Sequence, residues 1–112
     1  MTWAELQNAL DGGAEGTVIE VGQDLFADGQ DRILVEGKKV TIDLNGHKLD
    51  RQLTSSDSDG HVIEVTDGSD LTIKDSIGTG IITGGYAKNG GGINIDSESI
   101  CTITGGTITG NR

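Results

Sequence analysis

Aliphatic residues in this chain return every 30 positions. Ile93 and Ile95 fall 30 after Ile63 and Val65, which themselves fall 30 after Ile33 and Val35. Cys101 and Ile103 fall 30 after Leu71 and Ile73, and Val40 and Ile42 lie 31 before that pair. Internal repeats with a period of about 20 to 50 residues mark stacked architectures. Each recurring pair brackets one position, polar in every pair but Ile33 and Val35, which bracket Leu34; this is the two-residue period of a strand. Three short strands per repeat, with no helix between them, suit a coil in which each strand stacks on its counterpart one turn later. An antiparallel meander needs no such register, because its hairpins make neighbours of successive strands. The expected fold is all-β, a right-handed parallel β-helix, its hand following the usual rule for parallel crossovers. A small β-sandwich is the alternative.

The 112 residues make one domain, with 1–12 as an N-terminal helical cap and 17–112 as β-helix rungs whose C-terminal end is uncapped. Hydrophobic residues are 33% and aromatics 3%, with 19 Gly and no Pro. That composition alone would suit disorder. The β-branched periodicity argues otherwise, because a narrow solenoid core needs few aliphatics per turn. The expected inward set is Ile33, Val35, Val40, Ile42, Ile63, Val65, Leu71, Ile73, Ile82, Ile93, Ile95, Cys101, Ile103 and Ile108. Thr41, Glu64, Thr72, Asn94 and Thr102 are expected outward and exposed. Cys101 shares the column of Val40 and Leu71, so a buried thiol is expected, behaving as a small hydrophobe. A single cysteine excludes an internal disulfide and a Cys-based zinc site. A net charge of -10 speaks against nucleic acid or an anionic membrane as partner. No apolar run approaches the roughly 20 residues of a membrane span, and no secretory signal pattern is present. The expectation is a secreted or cell-surface protein, its export signal outside these residues.

Along the chain, Thr2 and Glu5 make the T-x-x-E capping box, Trp3, Leu6, Ala9 and Leu10 fall at helical spacing, and Gly12-Gly13 supply the stop. This short helix is marginal alone and must dock on the first rung as a cap. Strands are expected at Thr17–Val21, Asp24–Ala27, Arg32–Val35 and Val40–Leu44, with Asn45-Gly46 a turn. Asp50 to Gly60 is polar and reads as a loop leaving the stack, and Gly84 to Gly91 as a second excursion carrying Tyr86. Val62-Ile63-Glu64-Val65 repeats Val18-Ile19-Glu20-Val21 letter for letter. Ile73 to Ile82 spans 9 residues but Ile103 to Ile108 spans 5, which places four extra residues at the corner Asp75 to Gly80.

Val40 to Leu49, VTIDLNGHKL, resembles the "TIDLNGHTL"-type rung of bacterial β-helix proteins. Gly91-Gly92-Ile93 followed by Gly105 to Asn111, GGTITGN, resembles the repeats of adhesin-like surface proteins and, more distantly, polymorphic outer-membrane proteins. The opening helix with Gly16 to Val21 is similar to the N-terminal cap of the pectate-lyase-like superfamily. The resemblance covers nearly the whole chain. It implies the fold but not one function, since that superfamily hosts lyases, glycoside hydrolases, tailspikes and non-catalytic adhesins.

A lyase of this fold would need calcium-binding acids and a basic residue on one strand face, and a hydrolase a pair of carboxylates. The outward column after the second strand of each rung reads Asp43, Lys74, Thr104, which is no acid pair. The corner acids Asp67, Asp70, Asp96 and Glu98 fall on adjacent rungs and are the best candidates for calcium, whose ligands are carboxylate and carbonyl oxygens. Solvated turn acids are the simpler reading. Asp57-Ser58-Asp59-Gly60 resembles the start of a calcium loop but lacks the terminal Glu. His47 and His61 have no placed partner and read as surface residues, and Ser97 and Ser99 have no neighbouring His. Gly90-Gly91-Gly92 is not a phosphate loop, because no Lys-Ser/Thr and no helix follow. Tyr86 is the candidate ligand contact, by stacking on a sugar ring. Asn45 and Asn111 read as turn residues.

These residues point to a non-catalytic module without cofactor, adhesin-like, presenting loops to a glycan or protein partner. One alternative is the N-terminal portion of a polysaccharide lyase or hydrolase whose active site lies in later rungs, and another is a truncated scaffold for β-helix folding. The final rung carries Ile95, Ile103 and Ile108 with nothing to cover them, so an end-to-end homodimer is expected there.

Overall fold

The computed structural model describes residues 1–112. One helix, α1 (Trp3–Gly12), precedes eleven short strands: β1 (Thr17–Glu20), β2 (Leu25–Phe26), β3 (Ile33–Glu36), β4 (Lys39–Asp43), β5 (Lys48–Asp50), β6 (Ile63–Thr66), β7 (Asp70–Lys74), β8 (Ile81–Thr83), β9 (Ile93–Ile95), β10 (Ile100–Ile103) and β11 (Thr107–Ile108). They form three sheets, in the orders β1-β4-β7-β10, β2-β5-β8-β11 and β3-β6-β9. Every pairing is parallel. The chain visits the three sheets in a fixed cyclic order, so each strand lies against its counterpart from the previous circuit. The hairpins that a small antiparallel sandwich would need do not occur.

The register follows the repeat. Ile33, Ile63 and Ile93 stack in one column and Val35, Val65 and Ile95 in the next. Val40, Leu71 and Cys101 form a third, and Ile42, Ile73 and Ile103 a fourth. Strand β5 was not expected from the sequence. It is three residues long, pairs with both β2 and β8, and buries only Leu49. The repeated tetrapeptide is a coincidence of letters, because Val18 to Glu20 lie in β1 and Ile63 to Val65 in β6, in different sheets.

One cluster of 19 buried apolar side chains runs along the stack, from Trp3, Leu6 and Leu10 on the helix to Ile82. Of the expected inward set, the residues from Ile33 to Ile82 are buried. Ile93 and Cys101 are half-buried, and Ile95, Ile103 and Ile108 are exposed, because no strand covers the last circuit. Cys101 is therefore only partly shielded rather than fully buried. Desolvation, with the Asp70 charge, still raises its pKa. Of the outward positions only Thr102, on the outermost strand, is exposed. Thr41, Glu64, Thr72 and Asn94 are half-buried, since residues of the same column shade them at the spacing of about 4.8 Å between paired strands.

Corners recur as pairs in the left-handed region. Asp28-Gly29, Asn45-Gly46 and Asp67-Gly68 have φ of 49° and 83°, 51° and 78°, and 58° and 72°. The four-residue insertion sits at Asp75 to Gly80 as expected. The Asp75 carboxylate accepts N–H groups of Gly46, Ile77, Gly78 and Gly80, which ties the insertion to the corner beneath it.

The two excursions do not leave the stack. Leu53 N–H donates to the Gly84 carbonyl, Asp57 N–H to Tyr86 and Tyr86 N–H to Gly60, so the loops carry the ladder onward. A Cβ on Gly60 would lie 2.0 Å from the Tyr86 carbonyl oxygen, which is why only glycine fits there.

Helix α1 closes the first circuit. Its capping box is formed as expected, with the Thr2 hydroxyl accepting from Glu5 N–H and the Glu5 carboxylate accepting from Thr2 N–H. Strand β3 is the outer strand of its sheet, so one edge lacks a partner strand. Gln7 reaches from the helix to that edge: its Nε2 donates to the Leu34 carbonyl at 2.9 Å, and its Oε1 accepts Leu34 N–H at 2.7 Å. The side-chain amide stands in for a peptide group of a missing strand. Trp3 Nε1 donates to the Asp31 carbonyl just upstream.

Two stability measurements test this account. Ile73→Ala should cost about 2–5 kcal/mol and Thr72→Ala less than about 1 kcal/mol; equal costs in denaturant unfolding would refute the inward register. Gln7→Ala should cost about 1–3 kcal/mol and speed exchange of the Leu34 amide, since two main-chain groups lose their partner. An unchanged Leu34 exchange rate would show that the edge needs no amide.

Candidate functional site

Charged side chains converge where the outer face of sheet β3-β6-β9 meets the first excursion. Glu64 on β6 and Asn94 on β9 are in register, so both project outward in one column. Glu64 Oε2 accepts from Asn94 Nδ2 at 3.1 Å, and its Oε1 accepts from Arg32 Nε. The Arg32 guanidinium also bonds Asp31 at 3.0 Å and lies 4.0 Å from the Asp59 carboxylate. Partial burial works against the Glu64 carboxylate, but the hydrogen bonds from Arg32 and Asn94 outweigh it and hold its pKa below the ordinary value. At Arg32, desolvation is outweighed by the hydrogen bonds and charges of Glu64 and Asp31, which raise its pKa.

Arg51 lies beneath this face and is 6% exposed. Its guanidinium donates to the carbonyls of Gln30, Asp59 and His61. Asp31 approaches it at 3.9 Å. Burial lowers the Arg51 pKa, with Asp31, Asp57 and Asp59 acting in the opposite sense. A buried charge needs several acceptors to be tolerated, and here the first excursion wraps its own carbonyls around one. Nothing in the sequence flagged Arg51. The only signal is a lone arginine opening a hydroxyl-rich stretch whose other charges, Asp57 and Asp59, are acidic.

His61, expected at the surface, is 4% exposed. Its Nδ1 lies 2.7 Å from the Gly90 carbonyl oxygen. A carbonyl only accepts, so Nδ1 carries the proton. Asp59, His61 and Glu64 each offer a ligand atom within 4.8 Å of the others. That distance is metal-like, but the Arg32 guanidinium already supplies the positive charge these acids face.

The acids singled out from the sequence are placed differently. Asp67 N–H donates to Asp96 Oδ2 at 3.1 Å, which joins two adjacent circuits, and Asp96 Oδ1 accepts Glu98 N–H. The Ser99 hydroxyl and these N–H groups lower the Asp96 pKa. Asp70 begins β7, and Glu98 is exposed in the turn before β10. No three of Asp67, Asp70, Asp96 and Glu98 bring ligand atoms together as Asp59, His61 and Glu64 do. The carboxylate of Asp43 is buried and accepts from Ser76 N–H, the Ser76 hydroxyl and Asn45 N–H, so it organises a corner. His47 Nδ1 lies 3.5 Å from the Asp24 carboxylate. Tyr86 is half-buried, with the Arg112 guanidinium 5.4 Å from its ring centroid. Asn111 reads as expected: its side chain bonds the backbone of Gly85, Ile82 and Thr109.

A shallow groove of about 440 Å³ runs between α1 and β3, lined in part by Trp3, Gln7, Asp11, Arg32 and Glu36. No helix is long and apolar enough to cross a membrane. No family model, no curated protein and no solved structure matches this chain.

The lowered Glu64 pKa fixes a pH dependence. Its stabilisation is complete above its ordinary value of 4.5 and is lost as pH falls through the lower folded value. Glu64→Gln should therefore lower the melting temperature at pH 7, and the gap to the unmodified chain should narrow as the pH falls below 4.5. A gap that is constant with pH would show that the carboxylate charge contributes nothing.

Proposed function

We propose that the chain is a non-catalytic, extracellular right-handed parallel β-helix module, akin to the adhesin-like members of the pectate-lyase-like superfamily. It presents its two excursions, Asp50 to Gly60 and Gly84 to Gly91, to a glycan or protein partner. The observation that carries this reading is the way the excursions are held. Main-chain hydrogen bonds stack one loop on the other, and Arg51 is held by the carbonyls of Gln30, Asp59 and His61 with the Asp31 carboxylate 3.9 Å away. What remains outward is the exposed run Thr54-Ser55-Ser56-Asp57-Ser58, a hydroxyl-rich surface on a fixed backbone. A preorganised polar loop loses little entropy on binding, which suits recognition of a polar ligand. The resemblance of GGTITGN and VTIDLNGHKL to rungs of surface proteins supports the same reading. Asp59 and Glu64, beside this surface, are engaged by Arg32, which supports binding rather than turnover.

Binding of a panel of neutral and acidic oligosaccharides to the 112-residue chain tests it. The expected result is saturable binding to at least one glycan, weakened by replacing Ser55 and Ser56 with Lys, and no cleavage. Cleavage of an acidic glycan that is lost in Asp59→Asn or Glu64→Gln would instead establish a lyase or hydrolase.

A further inference from the structure

The chain holds two Asn-Gly dipeptides, Asn45-Gly46 and Asn89-Gly90. In such a pair the glycine has no side chain to shield its main-chain nitrogen from the neighbouring carboxamide. Reaction between the two then needs two freedoms. The Gly nitrogen must give up its proton, and the Asn side chain must rotate onto it. The fold removes both at the first dipeptide and neither at the second.

At the first, Gly46 N–H donates to the Asp75 carboxylate at 2.8 Å. Asn45 Nδ2 donates to the Val21 carbonyl at 3.4 Å, and Asn45 N–H to Asp43. The four-residue insertion closes over this corner, so that a Cβ on Gly46 would lie 3.0 Å from Ile77. A carboxylate acceptor opposes loss of the Gly46 proton by the bond and by its charge. At the second dipeptide, on the second excursion, both residues are exposed. No hydrogen bond engages the Asn89 side chain or the Gly90 N–H. The only one there is made by the Gly90 carbonyl, which accepts Nδ1–H of the buried His61 at 2.7 Å.

We infer that Asn89 is a site of spontaneous deamidation in the folded protein and that Asn45 is protected from it. The Gly90 nitrogen loses its proton to solvent hydroxide and attacks the side-chain carbonyl carbon of Asn89. The new C–N bond closes a succinimide ring, the bond from that carbon to Nδ2 breaks, and ammonia leaves with a proton from water, which regenerates the hydroxide. Water then opens the ring at one of its two carbonyls. One opening leaves an ordinary aspartate. The other leaves an isoaspartyl linkage, in which the main chain runs through the side-chain carbon and is one methylene longer. Both products add a negative charge to the second excursion, and the isoaspartyl form also displaces the Gly90 carbonyl from His61. The His61 carbonyl in turn accepts from Arg51, the residue around which the first excursion is wrapped. The modification therefore changes how the second excursion sits on the first.

Peptide mapping by mass spectrometry, on the 112-residue chain held at pH 8 either folded or in guanidinium, decides the matter. In the folded protein Asn89 should convert about tenfold or more faster than Asn45, since freeing the Gly46 N–H means breaking a hydrogen bond to a charged group. In guanidinium the two sites should convert at similar rates. As the isoaspartyl form accumulates, the His61 imidazole resonances should split into two sets. Asn89→Gln should remove the second set, because a glutamine must close a larger ring and does so more slowly. Similar rates at the two sites in the folded protein overturn the inference. So does a preference for Asn89 that persists unchanged in guanidinium, which would belong to the neighbouring residues and not to the fold, or conversion of Asn89 only after unfolding. His61 resonances that do not respond to conversion would overturn the link between the excursions.

Discussion

Main-chain hydrogen bonds between one circuit and the next are the constraint on which the rest of the structure depends. The side-chain core is thin, one column of aliphatics per strand position, and much of the chain is Gly, Ser, Thr and Asp. What holds such a chain in register is that each strand finds N–H and C=O groups of its counterpart at a fixed step along the sequence. The aliphatic columns select the register, because a shift of one residue would turn every inward Ile or Val to solvent. Departures from the step are absorbed locally. The insertion at Asp75 to Gly80 is held by one carboxylate that collects four N–H groups, and the excursions continue the ladder through residues such as Gly60 and Tyr86.

The same logic explains what could be read from the sequence. Columns separated by 30 residues are visible as letters, so the stacking of Ile33 on Ile63 on Ile93 could be read before any coordinates. The helix was legible because its capping box and apolar spacing are local. Strand β5 was not, because a three-residue strand with Lys and Asp at its ends carries no periodic signal. The repeated VIEV tetrapeptide was misleading for the opposite reason. Local pattern says that a segment is a strand, but which sheet it joins is set by the distance along the chain to its partner.

The charged cluster was hidden for a third reason. Arg32, Arg51, Asp59, His61 and Glu64 belong to three different segments, brought together because the excursion folds back over the sheet face. Sequence reading aligned the column Asp43, Lys74, Thr104, where the register is strict, and found no acid pair. The acids that do converge lie beside a loop, where no column rule predicts neighbours. The corner acids Asp67 and Asp96 were correctly placed on adjacent circuits, but one oxygen of Asp96 receives the Asp67 N–H, so the pair acts as a corner clasp.

Gln7 recognises Leu34 through its peptide group alone. That contact reads no side chain of the strand it covers, while Trp3, Leu6 and Leu10 of the same helix pack into the apolar cluster of the stack. A gene encoding such a chain can gain or lose a whole 30-residue unit from the middle of the stack, by unequal recombination for example, and the lid still meets the same first circuit. Length can then drift over evolutionary time without a compensating change at the start of the chain, which frees the lateral loops to diversify one unit at a time.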